Sequence, residues 1–478
     1  MKVRVVIFGA LALVVVACAV NPATGRREFM LVTESQEIQM GQDADPQISA
    51  SYGVVEDQGL QDYVSRLGMQ LAEVSERPQL PWSFKVVDDP IVNAFALPGG
   101  FIYVTRGILA QFDSEAELAG VLGHEVGHVT ARHGASQMSR QQLQQASVGL
   151  GMVMSERFRQ YGGLAVGVLQ VMNMSYSRGD ESESDRLGLR YITDVGYHAD
   201  AMIGVFQMLA AAGGGVPEGR LPEWQSTHPY LENREADMRA TIAETGASPA
   251  GLSNRDVYLD MIDGLAYGEN PRNGYFEDQR FLHPDLAFEL TFPDGWQTEN
   301  QRSAVAAIAP GQNAAVMLGV VDDGVSPEAE LRDFLRGDGV TGGTATTSAS
   351  GGIAIVRAPF TDLSQDRTLE GEVAFIRYGD FTYRMLGYST PDQWGTHARS
   401  VRNAISSFTR VVDRSLLEVQ PLQLSITTVS EAMSLNTFIR SNPQPISVEE
   451  LARLNRLDPT EVISAGTRIK AVSGTPIG

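Results

Sequence analysis

The feature that most constrains this chain is a pair of histidines four residues apart, His124 and His128, with Glu125 between them. Ser114 and Glu117 have the spacing of a helix N-cap, and apolar residues follow at helical spacing, so this segment is predicted to be a helix. On a helix both imidazoles lie on one face and can bind one Zn²⁺, with the glutamate beside a metal-bound water as general base. Two surface histidines on a helix are the alternative, although the chain has only 7 histidines.

A third protein ligand for such a site should come from a separate element. The acidic run after Arg178 contains Glu181 and Asp185, which lie one turn apart on a helix. Glu181 is the predicted zinc ligand, and Asp185 is predicted to accept the second N–H of a zinc-binding histidine and so fix its tautomer. Glu183 is the second choice for the ligand, and His133 is interpreted as structural. Without the histidine pair, such a run is typical of a solvated helix face.

Five elements in the expected order resemble the HtpX- and BepA-like zinc metallopeptidases, the forty-eighth family of metallopeptidases, and most closely its soluble periplasmic members. The resemblance covers about Asn21 to Glu244. It implies a gluzincin fold, which is a mainly helical zinc-protease domain with a small edge-strand sheet. The matching elements are the segment 21–30, the strand and turn 93–100, the His124–His128 motif, Ser177-Arg178 with Glu181 and Asp185, and Thr227-His228-Pro229 with Arg234.

The resemblance implies roles for residues outside the zinc ligands. His228 lies on a loop, where it either donates a hydrogen bond to the developing oxyanion or occupies the open position of zinc and keeps the enzyme latent. A loop histidine that caps a backbone carbonyl is the alternative. Arg234 is predicted to anchor this loop through an acidic partner such as Asp185. The main chain of an edge strand would bind an extended peptide regardless of its sequence, and the residues predicted for this strand are Asn93, Ala94, Phe95 and Ala96.

The predicted mechanism follows from these assignments. With one Zn²⁺ bound per chain, Glu125 would take a proton from the activated water while that water attacks the scissile carbonyl. The same carboxyl group would then deliver the proton to the leaving amine.

The N-terminus has the pattern of a bacterial lipoprotein signal peptide. Two basic residues precede an apolar run, 5–17, which is shorter than the roughly 20 residues of a membrane span. Val15-Val16-Ala17-Cys18 resembles a lipobox, in which Cys18 would be acylated and become the mature N-terminus. An ordinary signal peptide with an incidental cysteine is the alternative. Because Ala19 replaces the aspartate of inner-membrane lipoproteins, the prediction is a periplasmic protein anchored in the inner leaflet of the outer membrane.

The C-terminal half shows two further patterns without a chemical constellation. Residues 276–412 alternate strand-like runs with two helix-like runs, and this pattern is similar in shape to the PsbP/Mog1-like α+β sandwich. Residues 420–474 resemble a LysM module, which places two short strands around two helices and usually binds peptidoglycan glycan. The opening near 429–435 lacks the usual Gly-Asp/Glu-Thr-Leu start, so glycan binding is left open.

These patterns together predict an α+β multidomain protein. A net charge of −21 argues against a nucleic-acid surface, which needs basic patches. The segment 136–174 is a candidate lid over the cleft. The predicted units are a lipoprotein signal peptide (1–17), a tether (18–33), a zinc metallopeptidase domain (34–250), a linker (251–275), a PsbP/Mog1-like module (276–412) and a LysM-like module (420–474).

The leading hypothesis is a zinc-dependent endopeptidase that hydrolyses misfolded or unassembled cell-envelope proteins in periplasmic quality control. One rival is an envelope-tethered binding protein or holdase with a latent zinc site. A second rival is a peptidoglycan-binding protein with an incidental protease fold. An intact Glu125 favours the enzyme, because a structural site has no use for a general base. The predicted partners are unfolded envelope proteins, outer-membrane lipid through Cys18, peptidoglycan through 420–474 in the second rival, and no nucleic acid.

Overall fold

The computed structural model describes most of the 478-residue chain. The predicted signal peptide and most of the candidate lid lie outside the described residues. No helix within the described ranges is long and apolar enough to cross a bilayer. The described residues are 18–147, 175–213, 224, 227–228, 231–302, 304–322, 325–363 and 368–476.

The first unit is mainly helical and contains one small sheet. This sheet has the order β3-β5-β4, and β1 pairs antiparallel with β2 in a separate hairpin. The helices are α1 (Glu34–Tyr52), α2 (Gln58–Glu73), α3 (Arg106–Gln111), α4 (Glu115–Thr130), α5 (His133–Ser147), α6 (Arg178–Asp194), α7 (Ala201–Gly213), α8 (Leu231–Thr245) and α9 (Arg255–Ile262). The strands are β1 (Cys18–Val20), β2 (Arg27–Phe29), β3 (Ser83–Val87), β4 (Ala94–Leu97), β5 (Phe101–Thr105) and β6 (Ala266–Tyr267).

Helix α4, which carries the histidine pair, lies at the centre of this unit. Every one of its residues is buried, including the histidine pair and Glu125. One face of the small sheet, with Ala94 and Val104, packs in the same hydrophobic cluster as α4. The other face, with Phe95 and Tyr103, packs separately with Ile48 of α1. The sheet therefore lies between α1 and the zinc-motif helix.

The second unit is built on an eight-stranded sheet with the order β10-β11-β12-β17-β16-β15-β13, in which β14 also pairs with β15. A four-stranded sheet has the order β18-β9-β8-β7. Helix α11 packs on the large sheet through Val401 and Ile405. The elements are β7 (Tyr275–Glu277), β8 (Arg280–His283), β9 (Phe288–Thr291), β10 (Gln297–Gln301), β11 (Ala304–Ile308), β12 (Ala314–Asp322), α10 (Pro327–Leu335), β13 (Val340–Gly342), β14 (Thr346–Ser350), β15 (Ile353–Asp362), β16 (Leu369–Tyr378), β17 (Phe381–Ser389), α11 (Pro391–Ser407) and β18 (Thr409–Arg410).

The third unit places two helices between two paired strands. β19 pairs antiparallel with β22, and β6 of the first unit extends this sheet in the order β22-β19-β6. This arrangement has the outline expected of a LysM module, and the LysM assignment stays a prediction. After the short helix α12 (Arg414–Leu417), the elements are β19 (Leu422–Thr428), β20 (Met433–Ser434), α13 (Leu435–Ser441), α14 (Val448–Asn455), β21 (Val462–Ile463) and β22 (Arg468–Ser473).

Residues 251–275 differ from the predicted linker, because they contain α9 and β6. Tyr258, Leu259 and Ile262 are buried, and their spacing places them on one helix face. The predicted linker rests on the composition shift near residues 248–254, which does not indicate this short buried helix. The segment is an integral part of the core.

The third unit does not have a hydrophobic core of its own that is separate from the first unit. Leu424, Leu451 and Ile469 belong to the same hydrophobic cluster as Leu122 of α4. The first and third units therefore share one continuous core, which the sequence does not predict.

Candidate metal centre

The zinc-motif helix begins where the sequence indicates. The Ser114 hydroxyl accepts a hydrogen bond from the Glu117 main-chain N–H at 3.4 Å, and the Glu117 carboxylate accepts one from the Asp113 N–H at 2.8 Å. Both caps satisfy N–H groups that have no partner inside a helix. Ten residues further along, His124 and His128 lie on one face with their Nε2 atoms 2.9 Å apart.

Glycines allow helix α6 to cross very close to α4. A Cβ added to Gly188 of α6 would lie 2.9 Å from the main-chain nitrogen of His124, and a Cβ added to Gly127 would lie 3.1 Å from the Cα of Ser184. Only residues without a side chain permit this backbone approach. The crossing brings Glu181, in the first turn of α6, against the histidine pair.

Four buried side chains converge at this crossing. One potential ligand atom from each of them lies within 4.8 Å of all the others. The Glu181 carboxylate has one oxygen 3.6 Å from His124 Nε2 and the other 3.6 Å from His128 Nε2. Two imidazole nitrogens and a carboxylate oxygen are a donor set that catalytic zinc uses, with a fourth position left for water or substrate. The residues of the cluster, which fit a zinc ion, are His124, His128, Glu181 and His228.

Glu125 lies beside this cluster, and its carboxylate is not hydrogen-bonded to any described residue. Both carboxylate oxygens are buried, and neither has a hydrogen-bond partner within the described part of the chain. Nε2 of His228 lies 3.5 Å from one of these oxygens. Burial raises the pKa of Glu125 to about 7. An unpaired buried carboxylate is rare and costly, and a carboxyl group with a pKa near neutrality suits proton transfer.

Asp185 fixes the orientation of His124. Its carboxylate accepts a hydrogen bond from His124 Nδ1 at 2.9 Å, which leaves Nε2 free of a proton and available to a metal. Arg234 donates to the same carboxylate at 2.6 and 2.9 Å and also lies 2.8 Å from Glu181. Burial alone would raise the pKa of Asp185, but Arg234 and His124 lower it below its usual value. The positive charge of Arg234 therefore compensates the negative charges of two buried carboxylates, those of Asp185 and Glu181.

His133 was predicted to be structural. Its ring contacts His128 of the metal cluster directly. Its Nδ1 lies 3.0 Å from Nδ1 of His128, and its Nε2 lies 3.8 Å from the carboxylates of Asp180 and Glu183. These contacts favour a His128 tautomer that directs Nε2 to the metal. Glu183, the second choice for a ligand, accepts a hydrogen bond from Asn21 at 3.0 Å and is not part of the metal cluster.

Two aromatic residues that the sequence analysis missed form part of the wall of the site. The ring of Tyr176 stacks on His128 with centroids 4.0 Å apart, and the ring of Trp224 stacks on His228 at 4.2 Å. Both aromatic residues come from segments remote from the motif helix. No spacing in the sequence relates them to the histidines, so only the folded chain identifies them.

The predicted substrate strand lies at the edge of the small sheet. Strand β4 pairs antiparallel with β5 on one side and is the last strand of the described order. A small cleft at the end of β4 is lined by Ala96, Leu97 and His128. The segment Asn93–Ala96 is therefore positioned so that its open edge leads toward the histidine cluster.

Fold and site together define the class: a helix pair presents two histidines and a glutamate beside a free carboxylate and an edge strand, as in a zinc metallopeptidase. A model of peptidase family M48 matches residues 59–242. The chain therefore contains an M48 zinc metallopeptidase domain, which confirms the family resemblance inferred from the motifs.

Comparisons with individual proteins agree with this assignment. The chain is 30% identical over 281 residues to the beta-barrel assembly-enhancing protease of Yersinia pestis, covering 56% of this chain and 55% of that protein. It is 32% identical over 236 residues to the mitochondrial metalloendopeptidase OMA1 of Schizosaccharomyces pombe, covering 47% of this chain and 66% of that protein. The chain thus spans about half the length of the first of these relatives.

Among solved structures, one that is similar to part of this chain is the cyanobacterial PsbP protein of Synechocystis sp. PCC 6803. The match covers 28% of this chain and 91% of the PsbP chain. The sequence identity is 14% and the TM-score is 0.23.

Proposed function

We propose that this chain is an endopeptidase that uses one zinc ion held by His124, His128 and Glu181. The observation that carries the proposal is Glu125, whose buried carboxylate lies beside the cluster without a hydrogen-bond partner among the described residues. A zinc site that only supports a fold is closed by four protein ligands and needs no base. The position of Glu125 is instead that of a proton acceptor for an attacking water.

Each residue around the cluster has a separate task in this proposal. Zinc, when bound, supplies Lewis-acid chemistry that lowers the pKa of a water and polarises the scissile carbonyl. Glu125 accepts the proton of the attacking water and passes it to the leaving amine, and a pKa of about 7 suits both transfers. Asp185 and His133 hold the two imidazoles with Nε2 toward the metal.

His228 has a position that supports the latent state considered for it. Its Nδ1 lies 3.1 Å from Glu181 and 3.3 Å from His124 Nε2, so it occupies the side where a fourth ligand would bind. All four side chains of the cluster are nearly inaccessible to solvent. We propose that this arrangement is closed, and that movement of His228 away from the cluster opens the site to a peptide.

We propose that the substrates are misfolded or unassembled proteins of the cell envelope. The similarity to a beta-barrel assembly-enhancing protease supports this substrate class, and an edge strand that binds through main-chain groups supports broad side-chain tolerance. The lipobox-like sequence ending at Cys18 supports a lipid anchor in the periplasm, at the inner leaflet of the outer membrane. The LysM-like unit is a candidate for peptidoglycan binding.

Casein cleavage by the zinc-loaded chain without its first 18 residues tests the activity. Glu125→Gln removes the proton acceptor while preserving the shape of the site, and Glu235→Gln, which changes a partly exposed glutamate of α8 that pairs with Arg239, is the matched control. We expect cleavage by the wild type and the control, and none by Glu125→Gln with its zinc content unchanged. Equal cleavage by Glu125→Gln would contradict the proposed role of this residue.

The rival functions predict different results. If zinc is bound but neither protein cleaves casein, His228→Ala separates a latent enzyme from a binding protein, because removal of a blocking side chain would start cleavage. If His228 stabilises the oxyanion instead, the same substitution would lower an existing rate. Retention on peptidoglycan that requires residues 420–474, without cleavage by any variant, would favour the peptidoglycan-binding rival.

A further inference from the structure

A cavity of about 300 Å³ lies between the peptidase unit and the C-terminal unit. Its wall on the peptidase side includes Val92, just before β4, and Arg106 of α3, and its wall on the other side includes Glu450 and Arg453 of α14. The two sides are about 350 residues apart in sequence and meet only in the fold. None of the residues assigned to the metal centre lines this cavity.

The cavity and the metal centre lie at opposite ends of the same row of residues. Ala94 belongs to the hydrophobic cluster that contains α4, and Val92 and Ala96 pack against this cluster. Ala94 and Ala96 therefore lie on the sheet face toward the zinc-motif helix, and Val92, two residues before β4, packs against the same cluster. Val92 lines the cavity, whereas Ala96 lines the cleft beside His128. Val92 and Ala96 are four positions apart, which is at most roughly 13 Å for extended chain.

The main chain of this row faces the open edge of the sheet. The Asn93 carbonyl accepts a hydrogen bond from the Thr105 N–H at 3.1 Å, so Asn93 directs its main-chain groups toward β5. Because successive residues of an antiparallel strand alternate in this respect, Ala94 and Ala96 of β4 direct theirs to the unpaired side. A peptide that pairs with β4 from the metal centre to Ala94 is therefore two residues short of Val92, which lines the cavity, and one or two further residues of the peptide would reach it.

The charged residues that line the cavity differ in whether they already have hydrogen-bond or ion-pair partners in the protein. Arg106 donates to the Asp88 carboxylate at 2.6 Å and to the Gly268 carbonyl at 2.6 Å, and Glu450 accepts from the Tyr267 hydroxyl at 2.9 Å. Arg453 has no carboxylate within ion-pair distance in the described ranges. Within the part of the chain that the structure describes, the lining thus contains one cation without a carboxylate partner, Arg453, next to apolar residues such as Leu454, and one carboxylate, Glu450, that is bound only by a neutral hydroxyl.

We propose that this cavity is a remote subsite for extended polypeptide substrates, in which Arg453 of the C-terminal unit binds an acidic side chain of the substrate. The inference rests on the proposed peptidase function and adds to it a specificity-determining residue outside the metal centre. The C-terminal unit then selects substrates long enough to run along β4 and reach the interface, and short peptides bind without it.

Peptide binding to the zinc-loaded Glu125→Gln chain tests the subsite without cleavage. The probes are two fluorescein-labelled unstructured peptides, one of about 14 residues with a central apolar segment and a glutamate toward each end, and one of about 6 residues with only the central segment. Arg453→Glu reverses the charge in the cavity. Arg440→Glu is the matched control, because Arg440 lies on α13 of the same unit and does not line the cavity.

We expect Arg453→Glu to raise the Kd of the long peptide about tenfold, equivalent to 1.4 kcal/mol, and to leave the short peptide within about twofold. Arg440→Glu should change neither value. A long peptide with lysines in place of its glutamates should bind Arg453→Glu better than it binds the parent, which a merely structural role of Arg453 would not produce.

Three results would overturn the proposal. If casein is cleaved by the wild type and Arg453→Glu binds both peptides as the parent does, the subsite is absent while the peptidase function stands. If neither peptide binds and casein is cleaved neither by the wild type nor by His228→Ala, the proposed function itself fails and the subsite with it. Thermal unfolding and zinc content are measured on both variants, and an equal loss of both peptides with Arg453→Glu would assign Arg453 to structure alone.

Discussion

A buried lysine, Lys470, makes one of the contacts between the C-terminal unit and the peptidase unit, and this contact gives the most specific stability prediction. The ammonium group of Lys470 donates hydrogen bonds to the carbonyls of Ala110, Gln111 and Phe112 at 3.0 to 3.2 Å. It also lies 3.0 Å from the carboxylate of Asp113, and its side chain is 1% exposed. The three carbonyls lie at the C-terminal end of α3, where helical carbonyls lack partners.

Lys470→Met keeps the apolar stem and removes every one of these donors. Each carbonyl left unsatisfied costs about 1–3 kcal/mol, partly offset because Asp113 can regain water. Breaking a buried charge pair from one side costs about 3–5 kcal/mol in measured cases. We therefore expect the free energy of unfolding to fall by about 3–5 kcal/mol.

Lys85→Met is the matched control, because it removes the same charge from a more exposed pair. Lys85 is 28% exposed and pairs with Asp45, so its loss should cost about 1 kcal/mol or less. In thermal unfolding followed by circular dichroism, the transition of the peptidase unit should move by about 10 °C more in Lys470→Met than in Lys85→Met. Equal midpoints for the two variants would refute the reasoning, because the buried contact would then contribute no more than a surface pair.

Three further predictions concern the metal centre. Asp185→Asn should lower zinc affinity about 10- to 100-fold in a chelator competition assay, because it weakens the hold on His124, whereas Glu183→Gln should leave the affinity unchanged. Gly188→Ala should destabilise the protein by about 1–3 kcal/mol in denaturant unfolding, because its Cβ would lie 2.9 Å from the main chain of α4. Gly179→Ala in the same helix, where an added Cβ meets nothing closer than 3.7 Å, should cause no loss. Removal of zinc by a chelator should lower the unfolding midpoint of the wild type but not that of His128→Ala, since only a protein that binds the ion gains stability from it.

The metal centre was accessible from sequence because its chemistry depends on short spacings. His124, Glu125 and His128 lie within five residues, and a helix fixes their relation to one another. Glu181 required a second motif and a family resemblance, because it comes from another helix. Tyr176 and Trp224 carry no such pattern, and their contacts with the histidines arise only from the packing of separate segments.

The domain organisation was harder to predict than the site. The sequence divides the chain at changes of composition, which mark loops and exposed segments. Contacts between units are made by residues such as Arg456 and Glu117, 339 positions apart, and no local pattern contains this information. For the same reason the helix Arg255–Ile262 was predicted as a linker, although its buried face completes the core between two units.

These long-range contacts give the C-terminal unit a defined place in the catalytic scaffold. Arg456 binds both carboxylate oxygens of Glu117 at 2.8 and 2.5 Å, and Lys470 contacts Asp113. Glu117 and Asp113 flank Ser114, the N-cap of the helix that carries the zinc motif. The C-terminal unit therefore holds the start of this helix from outside the peptidase unit. Any ligand that changes the position of the C-terminal unit would act on the helix that presents His124 and His128, about two turns away.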